Sequence, residues 1–173
     1  MKRIIFTLCA VLMAAAALAQ EKVNVEVIGH RGGRAEFEEN TLSAFESAYK
    51  KGVHSFETDI RLTADNELVI IHDANLKRVA GKDMNVEEST REQISKIVTE
   101  KGNHIPFADQ LAEFFSTRDI HYIEWEMKSN NYTQEQLDLY CDKLYKTVMP
   151  SKPEGAVYIF SSFDTRAIKT MQR

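Results

Sequence analysis

The chain has 173 residues, 43% apolar and 28% charged, and a formal net charge of -4. That balance belongs to a globular protein, with one domain as the default, and excludes disordered, fibrous and disulfide-scaffold classes. Nucleic acid is excluded as a partner on charge, since its phosphates call for a basic surface.

At the N-terminus Lys2 and Arg3 precede the apolar run from Ile4 to Leu18, and Ala17-Leu18-Ala19 offers the small-x-small pattern of a cleavage site. Residues 1-19 therefore read as a signal peptide, with export to the periplasm or beyond the cell as the expectation. The run is shorter than the ~20 residues a membrane span needs, and no second candidate follows it. Cleavage would remove Lys2 and Arg3 and no acid, taking the formal charge from -4 to -6. Cys9 lies inside the run without a small residue before it, which argues against a lipid anchor. Cys141 is then the only mature cysteine, so no internal disulfide forms and a buried, inert thiol is expected.

Residues 20-173 alternate short β-rich runs with amphipathic helical runs, the pattern of a parallel sheet with crossover helices. Val23 to Ile28 is the first strand. Leu42, Phe45, Ala48 and Tyr49 have helical spacing, with Asn40 or Thr41 as cap and Gly52 as stop. Ser55 to Ile60 and Leu68 to Ile71 are the second and third strands, and a helix begins near Thr90, where Gln93 completes a capping arrangement. A helix from Phe107 to about Ser116 leads to a fourth strand, His121 to Met127. A longer helix from Thr133 to Val148 precedes a fifth strand, Ala156 to Phe160, and Asp164 starts another helix. This makes about five of the eight strand-helix units of a closed barrel.

Functional groups on such barrels gather at the C-terminal strand ends. Here His30-Arg31-Gly32-Gly33 follows strand one, Glu57 and Asp59 close strand two, His72-Asp73 closes strand three, and Glu124, Glu126 and Lys128 close strand four. Residues two apart on a strand share a face, so Glu57 projects with Asp59, and Glu124 with Glu126 and Lys128. Crowded carboxylates repel unless a cation relieves them, and an all-oxygen set suits Ca²⁺ or Mg²⁺ better than zinc. With Arg31 able to grip a phosphoryl group and His30 and His72 able to exchange protons, the set describes a phosphodiester site. Gly32 and Gly33 would let the backbone approach the ligand. Asn40 binds ligand or caps the first helix, with capping favoured. His54, His104 and His121 have no partner in the pattern and are assigned no role.

His30-Arg31-Gly32, Glu39-Asn40-Thr41, Glu57-x-Asp59, Thr63-x-Asp65 and His72-Asp73 with Leu76 and Arg78 resemble, in order and spacing, the signature of the glycerophosphodiester phosphodiesterase family. Ile105-Pro106, Glu126-x-Lys128 and Ser162-Phe163-Asp164 resemble its later landmarks. The resemblance covers nearly all of the mature chain. It implies an α/β fold of the TIM-type (β/α)₈ class, incomplete here, of the phospholipase-C-like phosphodiesterase type. It implies a divalent metal held by Glu57, Asp59 and Glu126, catalytic histidines at His30 and His72, and phosphate contacts from Arg31 and Lys128. The implied reaction is hydrolysis of a small glycerophosphodiester to glycerol 3-phosphate and an alcohol, with a glycerol hydroxyl attacking phosphorus.

Two departures stand out: Glu38 occupies a position where the family usually has proline, and Glu124 adds a carboxylate beside Glu126. A chain ending after five units is expected to leave an open sheet edge, to be prone to aggregation and to have weak or no activity. The rival readings are a sphingomyelinase D-like phospholipase on a related barrel, and a non-catalytic domain that keeps a metal and phosphate site. Nothing in the sequence specifies an oligomer.

Overall fold

The computed structural model describes residues 25-129 and 131-173, so the signal-peptide reading of residues 1-19 lies outside the described residues. Four parallel strands form the sheet in the order β1 (Ile28–His30), β2 (Ser55–Leu62), β4 (Tyr122–Met127) and β5 (Val157–Ser161). β3 (Leu68–Ile70) lies off this path, antiparallel to the end of β2, with Ile60 opposite Ile70 and Leu62 opposite Leu68. This corrects the reading of Leu68 to Ile71 as a third parallel barrel strand. Only residues 63-67 separate the two strands, whereas a parallel crossover needs a dozen or more. β1 and β5 are the two edges of an arc that is not closed among the described residues.

The helices begin where side chains satisfy their first amides. Thr41 caps α1 (Leu42–Lys50), its Oγ1 accepting from the Ala44 amide at 3.1 Å, and Gly52, at φ +87°, ends the turn behind it. α2 (Lys77–Ala80) and α3 (Arg91–Ser95) are short; α3 opens on a capping box between Thr90 and Gln93. α4 (Ala108–Ser116) and α5 (Gln134–Val148) cross behind the sheet, α5 beginning at a second capping box of Thr133 and Gln136. Asp164 caps α6 (Thr165–Met171).

Alternation along the strands separates two walls. Phe56, Ile60, Ile123, Trp125 and Met127 face the helices and are buried with Phe45, Leu111, Phe115 and Tyr140 in the main core. Phe45, Phe56 and Phe115 meet one another at centroid separations of 5.5–5.6 Å. The register neighbours of opposite parity, Ile28, Ser55, Tyr122 and Val157, line the inner wall. There the aliphatic residues are uncovered: Ile28 is 46% exposed, Val157 52% and Ile159 42%. β3 serves a second, smaller core. Leu68 and Ile70 belong to the main one, while Val69 and Ile71 pack with Leu76, Val86, Ile94 and Phe107 in the segment between β2 and β4. Among the described residues no helix is long and apolar enough to cross a membrane.

Candidate active site

Glu57 and Asp59 stand on the inner wall of β2, and Glu126 is the register partner of Asp59 on β4. Ligand oxygens of the three carboxylates lie within 4.8 Å of one another. Asp59 is fully buried and Glu57 nearly so. Asp59 Oδ2 accepts from Asn40 Nδ2 at 2.8 Å and faces Arg31 Nε at 3.2 Å. Its Oδ1 lies 3.0 Å from Lys128 Nζ, which also donates to Glu126 Oε1 at 2.5 Å. Glu57 Oε2 accepts the Arg31 amide at 2.9 Å and lies 3.5 Å from His30 Nε2, while its Oε1 has no hydrogen-bond partner. Burial, and then the charge of Asp59, push the Glu57 carboxyl up to about 7 against the pull of the Arg31 amide. Three crowded carboxylates, one with an orphaned buried oxygen, fit a hard divalent cation.

Glu124 is a different case. Its Oε2 accepts from Tyr122 Oη at 3.1 Å and its Oε1 from Ser161 Oγ at 2.7 Å, and it falls outside the three-carboxylate group. The extra carboxylate is therefore occupied by hydroxyls.

The loop from His30 to Asn40 is held in a conformation most side chains avoid. Arg31 and Asn40 have φ of +52° and +55°, and the Asn40 amide donates to the Arg31 carbonyl at 2.9 Å. Gly32 has a packing role in this loop. At φ +74° it presses against α1, where an added Cβ would meet Ala44 Cβ and the Phe45 amide nitrogen at 3.2 Å. Asn40 departs from its expected capping role. Thr41 takes the cap, and Asn40 instead donates to Asp59 and accepts from Thr58 Oγ1 at 3.0 Å.

His72 reaches the same mouth by an unexpected route. Because β3 runs back down from the end of β2, the Ile71 amide pairs with the Asp59 carbonyl and His72 arrives beside the carboxylates. With Glu126, Lys128, Arg61 and Phe163 it lines a cavity of about 370 Å³. His72 Nδ1 is 2.7 Å from Asp73 Oδ1. Hydrogen bonding from Arg78, partly opposed by burial and reinforced by His72, lowers the Asp73 carboxyl to about 2. An ionised carboxylate only accepts, so Nδ1 carries the hydrogen and Nε2 is left to the cavity. Arg78 donates onward to Glu39 at 2.6 and 3.0 Å, and Glu39 accepts from Arg31 at 3.1 Å. His30, by contrast, is half-exposed, and burial followed by the charges of Arg31 and Arg34 lowers its pKa.

The seven predicted site residues thus gather at one end of the sheet, but the sequence reading left their supports out. Arg61, which donates to the His72 carbonyl at 2.9 Å, lies two residues beyond Asp59 on the same strand face, a spacing that would have found it. The Asp73–Arg78–Glu39 chain joins residues up to 39 positions apart and had no signal beyond its place in the motif. Glu38 accepts from Thr99, Lys101 and Asn103, fastening this loop to the segment before α4. Cys141 is buried, and burial raises its thiol to about 11, in keeping with an inert role.

A sequence profile of the glycerophosphoryl diester phosphodiesterase family matches residues 30–173. The chain belongs to this family. A glycerophosphodiester phosphodiesterase of Caldanaerobacter subterraneus is 31% identical over 154 residues, 84% of this chain and 62% of the relative. One from Bacillus altitudinis is 32% identical over 62% of this chain and 46% of the relative. The chain thus spans less than two thirds of the length of these relatives. Among solved structures, a Silicibacter pomeroyi family member superposes at TM-score 0.79 and 23% identity over 88% of this chain and 62% of the neighbour. An Oleispira antarctica phosphodiesterase, in complex with the product sn-glycerol-3-phosphate, superposes at 0.77 and 22% over 86% and 61%. These likenesses establish the fold: the four parallel strands with their helices are part of a TIM-type family barrel.

Proposed function

We propose that this chain is the metal- and histidine-bearing part of an exported enzyme that hydrolyses glycerophosphodiesters to glycerol 3-phosphate and an alcohol. The carrying observation is the buried Glu57, Asp59 and Glu126 group, flanked by Arg31 and Lys128 and facing two histidines. Glu57, Asp59 and Glu126 hold the cation, Ca²⁺ or Mg²⁺, which when bound supplies positive charge that polarises the phosphoryl oxygens. Lys128 and Arg31 orient the phosphate from opposite sides of Asp59. His30, disposed by its surroundings to be neutral, takes a proton from the attacking glycerol hydroxyl. His72, its Nδ1–H fixed on Asp73 and a second proton on Nε2, gives the Nε2 proton to the leaving alcohol oxygen. Water then opens the resulting cyclic phosphate with the two histidines in reversed roles, giving glycerol 3-phosphate. Residues 1-19 serve export and 20-173 constitute the family domain. The family match and the product held by the Oleispira neighbour support this substrate class.

A lysophospholipid is the second reading. Lysophospholipase D of Homo sapiens is 32% identical over 60% of this chain and 36% of its own length, and Phe163 stands 88% exposed at the cavity rim, 5.9 Å from Lys128 Nζ. The test is glycerol 3-phosphate release from glycerophosphocholine, beside choline release from lysophosphatidylcholine, by the chain and by a form extended through any downstream coding sequence. Release that stops with chelator and with His72→Ala supports the reading. No release by a folded, metal-loaded extended form would sink it.

A further inference from the structure

The opposite end of the sheet carries a second group of ligating side chains. His54 and His121 immediately precede β2 and β4, and the His121 amide donates to the His54 carbonyl at 2.9 Å. They are thus adjacent one step before the Ser55–Tyr122 register pair, on strands that lie about 4.8 Å apart. Their rings stand 5.0 Å apart at an interplanar angle of 17°. Asp119, in the turn between α4 and β4, reaches both: its Oδ2 is 3.6 Å from His54 Nδ1 and 3.8 Å from His121 Nε2. Ligand atoms of the three residues lie within 4.8 Å of one another.

From this geometry we propose a metal site at the N-terminal end of the sheet, formed by His54, His121 and Asp119 and selective for an imidazole-preferring divalent ion such as Zn²⁺. The outer contact of His121 matches what a ligating histidine requires. His121 Nδ1 is 3.1 Å from Glu26 Oε1, so a proton held there leaves Nε2 as the ligand atom toward Asp119. His54 faces Asp119 Oδ2 with Nδ1, so as a ligand it gives up the 2.6 Å contact that Nδ1 makes to the Asp119 carbonyl, and its ring is backed by Tyr49 at 5.2 Å, edge to face. Two imidazoles and a carboxylate with an open position suit zinc, copper or nickel, whereas the all-carboxylate mouth suits Mg²⁺ or Ca²⁺. Ligation at Zn–N of about 2.0–2.1 Å requires the nearly parallel rings to turn toward each other. His121 is half-exposed, which leaves room for that turn. A bound ion would clasp the starts of β2 and β4, at the end of the barrel where such features serve stability rather than chemistry.

The experiment titrates the chain with Co²⁺ in excess Mg²⁺, which fills the hard carboxylate site, and reads the visible absorption of low-symmetry cobalt, with Zn²⁺ as competitor. Saturable bands displaced by Zn²⁺ are expected. They should weaken at least about 10-fold in apparent affinity in His54→Ala and in His121→Ala, given that losing even an outer partner of a ligand costs that much. Asp119→Asn should weaken them in the same direction. Independently of any variant, Zn²⁺ should shift the imidazole nitrogen resonances of His54 and His121 in the wild-type chain while leaving those of His104 unchanged. Bands that persist in the folded double histidine variant, or resonances of His54 and His121 that ignore Zn²⁺, would overturn the proposal.

Discussion

The two walls of this sheet are built from the same strands and obey different rules. On the helix-facing wall Phe56, Ile60, Ile123, Trp125 and Met127 are at most 1% exposed, because α1, α4 and α5 cover them. On the inner wall the polar end is closely paired, while the aliphatic end, with Ile28, Val157 and Ile159, faces outward to solvent. Burial on the first wall comes from elements this chain contains. The ionic end of the second is organised by opposite charge: Asp59, Lys128, Arg31 and Glu126 meet within this arc.

The largest expected effect falls on that ionic end. Asp59→Asn removes the buried carboxylate that Arg31, Lys128 and Asn40 all address, and product release by the extended form proposed above should drop roughly 10³-fold, as loss of several kcal/mol of charge stabilisation implies. Unchanged turnover with unchanged Mg²⁺ dependence would remove Asp59 from the site. A paired test of the two walls comes next. Trp125→Ala should cost about 3–5 kcal/mol in denaturant unfolding, whereas Ile159→Ser, on the uncovered inner wall, should stay within about 0.5 kcal/mol. Equal costs would mean that the inner wall is covered in solution.

Asp73→Asn should lower kcat by about 10–100-fold with little change in KM, the scale of losing an orienting partner. A change confined to KM would show that Asp73 binds substrate rather than holding His72. The smallest effect is on pH. The Glu57 carboxyl is pushed up to about 7, above its unfolded value, so the folded metal-free protein holds a proton there that the unfolded chain loses near 4.5. The group therefore costs stability progressively as pH rises from about 4.5 to 7. A cation must displace that proton, so Mg²⁺ affinity should rise up to about tenfold per pH unit below 7 and level off above it. Calorimetry that finds Mg²⁺ affinity flat between pH 5.5 and 8 would contradict this.

Much of this was legible in the sequence because it depends on spacing. The period of two that put Glu57 with Asp59 holds, and Thr41, Thr90, Thr133 and Asp164 cap the expected helices. What stayed hidden depends on direction and register. A short apolar run such as Leu68 to Ile70 looks alike in a parallel or antiparallel strand, and only the brevity of residues 63-67 betrays the hairpin. His72 still arrives at the carboxylate end, since the reversed strand ends beside Asp59. His54 and His121 become neighbours only through the register of β2 on β4, 67 positions apart in sequence, which no motif records.

The second core has a consequence for how the molecule opens. Val69, Ile71, Leu76, Val86, Ile94, Ile105 and Phe107 bury one another apart from the main core, and β3 alone shares both. Separate cores define separate cooperative units, so amides of residues 71-107 can exchange with solvent through a partial opening that leaves β2 and β4 paired. In that partly open form the three carboxylates stay assembled while His72 departs with its segment, so the carboxylate group and the histidine belong to units of different local stability.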